Sequence, residues 1–118
     1  MDSLSRRPEP VHLLAAGTRG QVTLEDCLCA GIIARRLIAA GRPPGEDDPV
    51  RIAVHLAEHT GEDPSKILDA LRASRGGRNL TRLGLNADIV ECARIDTHPI
   101  VPVLRFDPAL GPLIVAAP

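Results

Sequence analysis

The sequence predicts an α/β domain in which a few short strands accompany several packed helices. Three observations support this class. The apolar run at 11–16, bounded by prolines and a glycine, is typical of a buried strand. Between 24 and 93, apolar residues recur at helical spacing, and the segment 99–115 is apolar and rich in β-branched residues. At 118 residues, the chain is expected to form one domain at 11–118 after a disordered lead-in at 1–10.

The longest predicted helix begins after Thr23 and runs to about Ala40, where Gly41 ends it. Thr23, followed three residues later by Asp26, resembles a capping box. The apolar residues of this helix are expected to form one broad face towards the core. They are Leu24, Leu28, Ile32, Ile33, Leu37 and Ile38.

Short helices are predicted beyond the loop at 42–49, which carries three prolines and an acidic cluster. The first spans 50–60. The second begins at Asp63-Pro64, where a capping residue is followed by a proline that suits the first turn.

The pair Gly76-Gly77 is expected either to break the chain or to allow another backbone to approach closely. Two further helices are predicted at 79–83 and 86–93, the latter capped by its asparagine. The two prolines of the next apolar run place an edge strand from about residue 103, and a final strand follows at 113–115.

Composition excludes several classes of partner. The formal net charge is −1, and Phe106 is the only aromatic residue. A nucleic-acid partner is therefore not expected, because the chain lacks both a strong positive field and aromatic side chains on which bases stack. No run is long and apolar enough to span a membrane, and three cysteines are a poor basis for a disulfide framework. We therefore expect a cytoplasmic protein with reduced, buried cysteines.

A glycine loop meets an acidic pair at the start of the longest helix. Gly17 and Gly20 flank Arg19 in the loop, and Glu25-Asp26 open the helix. Carboxylates can hold a hard cation, and a glycine loop with an arginine can hold an anion beside it. The simpler alternatives are a helix dipole that favours acidic residues in its first turn and a loop arginine that is merely solvated.

Two further patterns leave alternatives open. Arg75 and Arg78 surround the glycine pair and could contact an anion or remain solvated. The segment His55–His59 has the form H-x-x-E-H, which certain zinc hydrolases use, and its two histidines share one helix face. No third ligand is evident, so a solvated helix face is the preferred interpretation. A zinc hydrolase remains the alternative.

The chain also resembles a known family, the 2-phosphosulfolactate phosphatases. An early block, the glycine loop at 16–20 followed by Leu24–Gly31, is similar to one family block. A late block, Ser74–Leu80 with 83–84, 88–93 and 101–104 after it, is similar to the late part of the family, in the same order. The resemblance covers the C-terminal half of the family pattern. The family's N-terminal half has no counterpart here, and Gly76-Gly77 stand where the family pattern suggests a histidine beside a glycine.

The resemblance implies a magnesium-dependent hydrolase, a phosphatase that converts 2-phosphosulfolactate to sulfolactate and phosphate in coenzyme M biosynthesis. It implies Asp26 as a magnesium ligand and Glu25 as a second catalytic group, either around the ion or as a general base. A small-molecule phosphate ester would be bound by the loop and the late arginines. These predicted binding residues are Gly17, Arg19, Gly20, Arg75 and Arg78.

A different class of function is also open. The core is almost wholly aliphatic, which suggests surface left for a partner. The chain could be a non-catalytic α/β module that forms a homo-oligomer or docks on a separate N-terminal half.

Overall fold

The computed structural model describes residue 4 and residues 8–116, and it confirms the α/β class. Within 8–116, five helices precede one antiparallel hairpin. Most of the predicted lead-in at 1–10 lies outside the described residues. The elements are α1 (Leu24–Ala39), α2 (Asp48–Thr60), α3 (Pro64–Ala73), α4 (Arg75–Arg82), α5 (Asn86–Cys92), β1 (Pro102–Asp107) and β2 (Gly111–Ala116).

The core is centred where α1 packs along α2, and Ile67 of α3 and Ile89 of α5 are buried with it. Leu28 of α1 is 2% exposed and Ala57 of α2 is completely buried. Gly31 makes this packing possible, because a Cβ atom there would lie 1.9 Å from the carbonyl oxygen of Ala53. Small residues thus let the two helix backbones approach closely, and the aliphatic side chains close the space around them.

Helix α3 begins as predicted. Asp63 precedes Pro64, and its carboxylate accepts a hydrogen bond from the Ser65 N–H at 2.9 Å. That carboxylate satisfies one of the N–H groups that a helix start leaves without a partner. Its pKa is lowered because the hydrogen bonds from Ser65 favour the charged form.

The glycine pair Gly76-Gly77 does not break the chain, so that alternative is wrong. Both residues lie in the first turn of α4, where the hydroxyl of Ser74 accepts the Gly77 N–H at 3.0 Å. The expected close approach is confirmed, since a Cβ atom at Gly77 would lie 1.9 Å from the Leu71 carbonyl oxygen. The glycines allow α4 to pack against the end of α3.

Several sequence predictions are wrong in detail. The run 11–16 forms no strand, and Leu14 is 97% exposed. A strand needs a neighbour to pair its backbone, and no strand pairs with this run within the described residues. Thr23 stands at the N-cap of α1 but accepts no capping hydrogen bond. Leu85, rather than Asn86, is the N-cap of α5.

The predicted core face and the cysteines also differ from expectation. Of the six apolar residues predicted to face the core from α1, Leu28 and Leu37 are buried, whereas Leu24 is 36% exposed. α2 covers only part of that face, so the spacing overstates its burial. The expectation of buried cysteines is wrong: Cys29 and Cys92 are exposed and Cys27 is partly exposed, and all three are free thiols.

The hairpin presents an apolar face to solvent. β1 pairs with β2 in a register that sets Leu104 opposite Ile114 and Phe106 opposite Pro112. Leu104, Phe106 and Ile114 are 71%, 81% and 76% exposed. Because side chains alternate along a strand, these residues share one face. We call the face formed by Leu104, Phe106 and Ile114 the hairpin face.

A network of salt bridges holds the C-terminal end of α1 in place. We call its four residues, Arg35, Arg36, Glu62 and Asp96, the ionic clamp. Arg36 contacts both carboxylate oxygens of Asp96 at 2.9 and 3.2 Å and binds Glu62 at 2.6 Å. Arg35 binds Glu62 at 2.6 Å as well. Hydrogen bonds from Arg36 and Arg35 lower the pKa of Glu62 to about 2, and the same network raises the pKa of Arg36. The clamp ties α1 to the connection between α2 and α3.

None of the helices in the described part of the chain combines the length and the apolar character that crossing a bilayer requires.

Candidate anion-binding site

The glycine loop forms a tight turn with an arginine at its tip. The backbones of Thr18 and Gln21 exchange two hydrogen bonds, of 3.0 and 3.1 Å. Between them, Arg19 and Gly20 have φ angles of 54° and 73°, the pattern of a type I′ turn. Glycine adopts such angles readily, but an arginine does so only when its surroundings hold it there. The turn therefore presents Arg19 at a defined place.

Arg19 lines a cavity with three arginines of α4. The cavity has a volume of about 300 Å³, and its lining residues are Thr18, Arg19, Arg75, Arg78, Asn79 and Arg82. We call Arg19, Arg75, Arg78 and Arg82 the arginine cluster. Among the residues that the structure describes, none of these four guanidinium groups forms a salt bridge with a carboxylate. The cavity therefore concentrates positive charge without neutralising it.

The spacing of the α4 arginines explains why they converge. Residues three, four or seven apart lie along one face of a helix. Arg75, Arg78 and Arg82 follow this spacing. Arg82, Asn79 and Thr18 were missed by the sequence analysis, although the arginine at i+7 from Arg75 was a usable signal once residue 75 was placed inside a helix. The predicted break at the glycine pair concealed it.

Backbone N–H groups at the start of α4 are already engaged. The Gly77 N–H donates to the Ser74 hydroxyl, and the Gly76 N–H donates to Glu25 Oε1 at 3.0 Å. A bound anion would therefore be held by guanidinium groups rather than by these two amides. Planar guanidinium groups suit phosphate and sulfonate oxygens, to which each can donate two parallel hydrogen bonds.

Glu25 joins the start of α1 to the start of α4. Its Oε1 atom binds the Gly76 N–H, whereas its Oε2 atom is buried and has no hydrogen-bond partner among the described residues. A Cβ atom at position 76 would lie 2.5 Å from Glu25 Oε1, so glycine leaves room for the carboxylate. A buried carboxylate oxygen without a partner is costly, and it leaves an oxygen that a cation could use.

Asp26 points elsewhere. Its Oδ2 atom accepts the Gly17 N–H at 2.7 Å and the Thr23 hydroxyl at 2.9 Å. This carboxylate therefore closes the glycine loop onto α1. It lines a second, mainly apolar cavity of about 270 Å³. The two carboxylates of the acidic pair thus have different partners, as expected for neighbours that diverge by about 100° around a helix.

The structure brings part of the predicted site together. Arg19, Arg75 and Arg78 line one cavity. The other predicted residues do not line it, although Gly17 and Gly20 belong to the turn that carries Arg19. Glu25 contacts α4, the helix that carries Arg75 and Arg78. The roles assigned to Glu25 and Asp26 stay predictions.

The described residues contain no group of three or more His, Cys, Asp or Glu side chains that could hold a metal ion. Magnesium needs fewer protein ligands, since it keeps several waters and takes one or two carboxylates together with substrate oxygens. The unpartnered Oε2 of Glu25 fits that requirement. The two histidines of the H-x-x-E-H segment have no third ligand among the residues that the structure places. His55 contacts Glu58 at 3.2 Å on an exposed face of α2.

Most of this chain matches one family model and several known proteins in sequence. A family model described as 2-phosphosulpholactate phosphatase matches residues 1–106. A probable 2-phosphosulfolactate phosphatase from Deinococcus radiodurans is 38% identical, over 86% of this chain and 40% of the relative. A relative of the same name from Symbiobacterium thermophilum is 35% identical, over 85% of this chain and 42% of the relative. Another, from Thermus thermophilus, is 36% identical, over 82% of this chain and 39% of the relative. The chain spans about two-fifths of the length of these relatives.

Proposed function

Because the chain belongs to the 2-phosphosulfolactate phosphatase family, we propose that it binds a small phosphomonoester in the arginine cluster and contributes to its hydrolysis. The names of its relatives suggest 2-phosphosulfolactate as the ester. A cytoplasmic location and a part in coenzyme M biosynthesis belong to the same proposal. The main support for this proposal is the group of four arginines around one cavity, none of which forms a salt bridge with a carboxylate in the described part of the chain.

The cavity suits a small, highly charged ligand. Its volume of about 300 Å³ lies at the lower end of the range for small-molecule sites. A phosphomonoester and a sulfonate on one small molecule would offer several oxygens to the guanidinium forks. Thr18 and Asn79 add neutral polar groups to the lining.

Hydrolysis would proceed by attack of water on phosphorus, with release of the alcohol and inorganic phosphate. Negative charge on the phosphoryl oxygens is then stabilised by fixed positive groups, which lowers the barrier more than mobile solvent does. Arg19, at the tip of its turn, and the arginines of α4 would supply that stabilisation. Glu25 does not line the cavity and its Oε2 is buried, so the proton of the attacking water would pass to solvent, which leaves Glu25 the role around the ion.

We also propose magnesium as the cofactor, held by carboxylates of the acidic pair. When bound, the ion would supply Lewis-acid polarisation of a phosphoryl oxygen. Within 8–116, Glu25 Oε2 has no hydrogen-bond partner, whereas Asp26 Oδ2 already accepts two hydrogen bonds. Magnesium should therefore raise the thermal unfolding temperature of the unaltered chain, and Glu25→Gln should reduce that rise more than Asp26→Asn does. An equal rise in all three proteins would refute a role for either carboxylate.

The function is tested by two measurements on the full 118-residue chain. Phosphate release from 2-phosphosulfolactate with magnesium reports hydrolysis, and calorimetric titration with inorganic phosphate reports anion binding. Arg78→Gln should lower phosphate affinity about tenfold, because it removes a charged hydrogen-bond donor. Arg51→Gln, which removes an exposed arginine of α2, is the matched control. Equal phosphate affinity in both variants would contradict the assigned site.

A second candidate function is supported by the hairpin face. Three large apolar side chains that are 71% to 81% exposed form a patch of the kind that protein partners cover, and an isolated two-stranded hairpin is only marginally stable. The chain would then be a non-catalytic module that forms a homo-oligomer or docks on a separate N-terminal half. Phosphate binding without turnover would favour this function.

The molar mass in solution tests the second candidate. Light scattering behind a sizing column should give a multiple of 12.5 kDa for a homo-oligomer. Phe106→Ser should return the chain to the monomer if the hairpin face forms the contact. A monomer at all concentrations, which also fails to bind a separately expressed N-terminal half of a relative, would remove this candidate.

A further inference from the structure

We propose that Gln21 is a positioning residue for anion binding, because its side-chain oxygen holds the Arg75 guanidinium at the edge of the arginine cluster. Arg75 Nη1 donates a hydrogen bond to Gln21 Oε1. The inference rests on the proposed function, since it assumes that the cluster binds an anion. Gln21 itself does not line the cavity, so it would act through Arg75.

The backbone of Gln21 is fixed relative to Arg19. Its N–H and its carbonyl oxygen both hydrogen-bond to Thr18, at 3.1 and 3.0 Å. The turn cannot open without losing both bonds. A Cβ atom at Gly17 would lie 2.4 Å from the Gln21 carbonyl oxygen, so the preceding loop also packs closely against this residue.

The backbone of Arg75 is fixed as well. Arg75 is the first residue of α4 and directly precedes Gly76, whose N–H is held by Glu25 Oε1 at 3.0 Å. The hydrogen bond between Gln21 and Arg75 therefore links two anchored backbones. It orients the long arginine side chain between them and keeps Arg75 near Arg19.

The chemistry of the acceptor matters. A carboxylate at position 21 would hold Arg75 equally well but would cancel its charge. The amide oxygen of Gln21 is neutral and occupies one donor of a guanidinium group that has five. Arg75 keeps its full charge and its remaining donors for an anion. Because the side chain is ordered before binding, less conformational entropy is lost when the anion arrives.

The test is a double-mutant cycle on the full chain, with calorimetric titration of inorganic phosphate as the readout. Gln21→Met keeps the length of the side chain and removes the acceptor, and Gln21 is exposed, so the variant should fold. We expect phosphate affinity to fall about three- to tenfold, the cost of ordering one long side chain upon binding. Arg75→Met should weaken binding further, and adding Gln21→Met to it should change nothing more.

The control is Glu91→Met, which removes the acceptor of Arg94 in an exposed pair of 3.0 Å outside the cavity lining and should leave phosphate affinity unchanged. If the unaltered chain binds no phosphate, the proposed function fails and the inference fails with it. If Arg75→Met weakens binding but Gln21→Met does not, the function stands and the inference alone is wrong. Additive losses in the double variant would also overturn it, because they would show that Gln21 acts independently of Arg75.

Discussion

Substitution of Gly31 by alanine should separate the two longest helices. The added Cβ atom would lie 1.9 Å from the carbonyl oxygen of Ala53, 2.6 Å from its carbonyl carbon and 3.1 Å from the Cβ of Ala57. A carbon and an oxygen in contact stand about 3.3 Å apart, so α1 and α2 would have to move apart by about 1.4 Å. The nearest atom belongs to the backbone and cannot rotate away.

The cost follows from the packing that this movement disrupts. Leu28 is 2% exposed and Ala57 is fully buried, so a gap between the helices removes contacts on both sides. Over-packing of this severity costs about 3 kcal/mol. The better helix propensity of alanine returns about 1 kcal/mol. A net loss of about 2 kcal/mol is a large part of the stability of a small domain.

Urea denaturation followed by far-ultraviolet circular dichroism measures this loss. Cys29→Ala, two residues away on the exposed side of α1, is the matched control and should change the free energy of unfolding by less than about 0.5 kcal/mol. If Gly31→Ala proves as stable as the unaltered chain, the close approach of α1 and α2 is not as described, and the reasoning fails.

Two further predictions concern the ionic clamp and the start of α4. The pKa of Glu62 is lowered from 4.5 to about 2, so its stabilisation is complete above pH 4.5 and is lost as the pH falls through about 2. Glu62→Gln should therefore destabilise the chain by about 1 kcal/mol at neutral pH, and its free energy of unfolding should fall less steeply as the pH is lowered from 4.5 to about 2. The exposed Glu58→Gln is the control and should change neither quantity. If Glu62→Gln leaves the pH dependence below 4.5 unchanged, the clamp does not act as described. Gly76→Ala places a Cβ 2.5 Å from Glu25 Oε1 and should displace that side chain, so phosphate affinity should fall severalfold while thermal stability changes little. Unchanged phosphate affinity would show that Glu25 does not help to position α4.

Local patterns predicted most of the elements correctly. Helix α1 was expected from after Thr23 to about residue 40 and spans Leu24–Ala39, and the Asp63-Pro64 start of α3 was confirmed. Such signals are encoded within one or two turns of chain, by spacing, caps and glycine. They failed where the outcome depends on a distant partner, as at 11–16, whose apolar composition suits a strand but which has no strand beside it within the described residues.

For the candidate site, too, the sequence predicted some properties and the tertiary structure decided others. The sequence by itself determined the chemistry, namely the arginines, the glycine turn and the acidic pair, together with the family to which they belong. Only the tertiary structure decided how these groups combine. The packing of α3 against α4 at Gly77 and the bond from Glu25 to Gly76 bring a helix more than fifty residues along the chain to the glycine turn. Positive charges gather there because those long-range contacts hold them together, and no local pattern specifies contacts between segments so far apart.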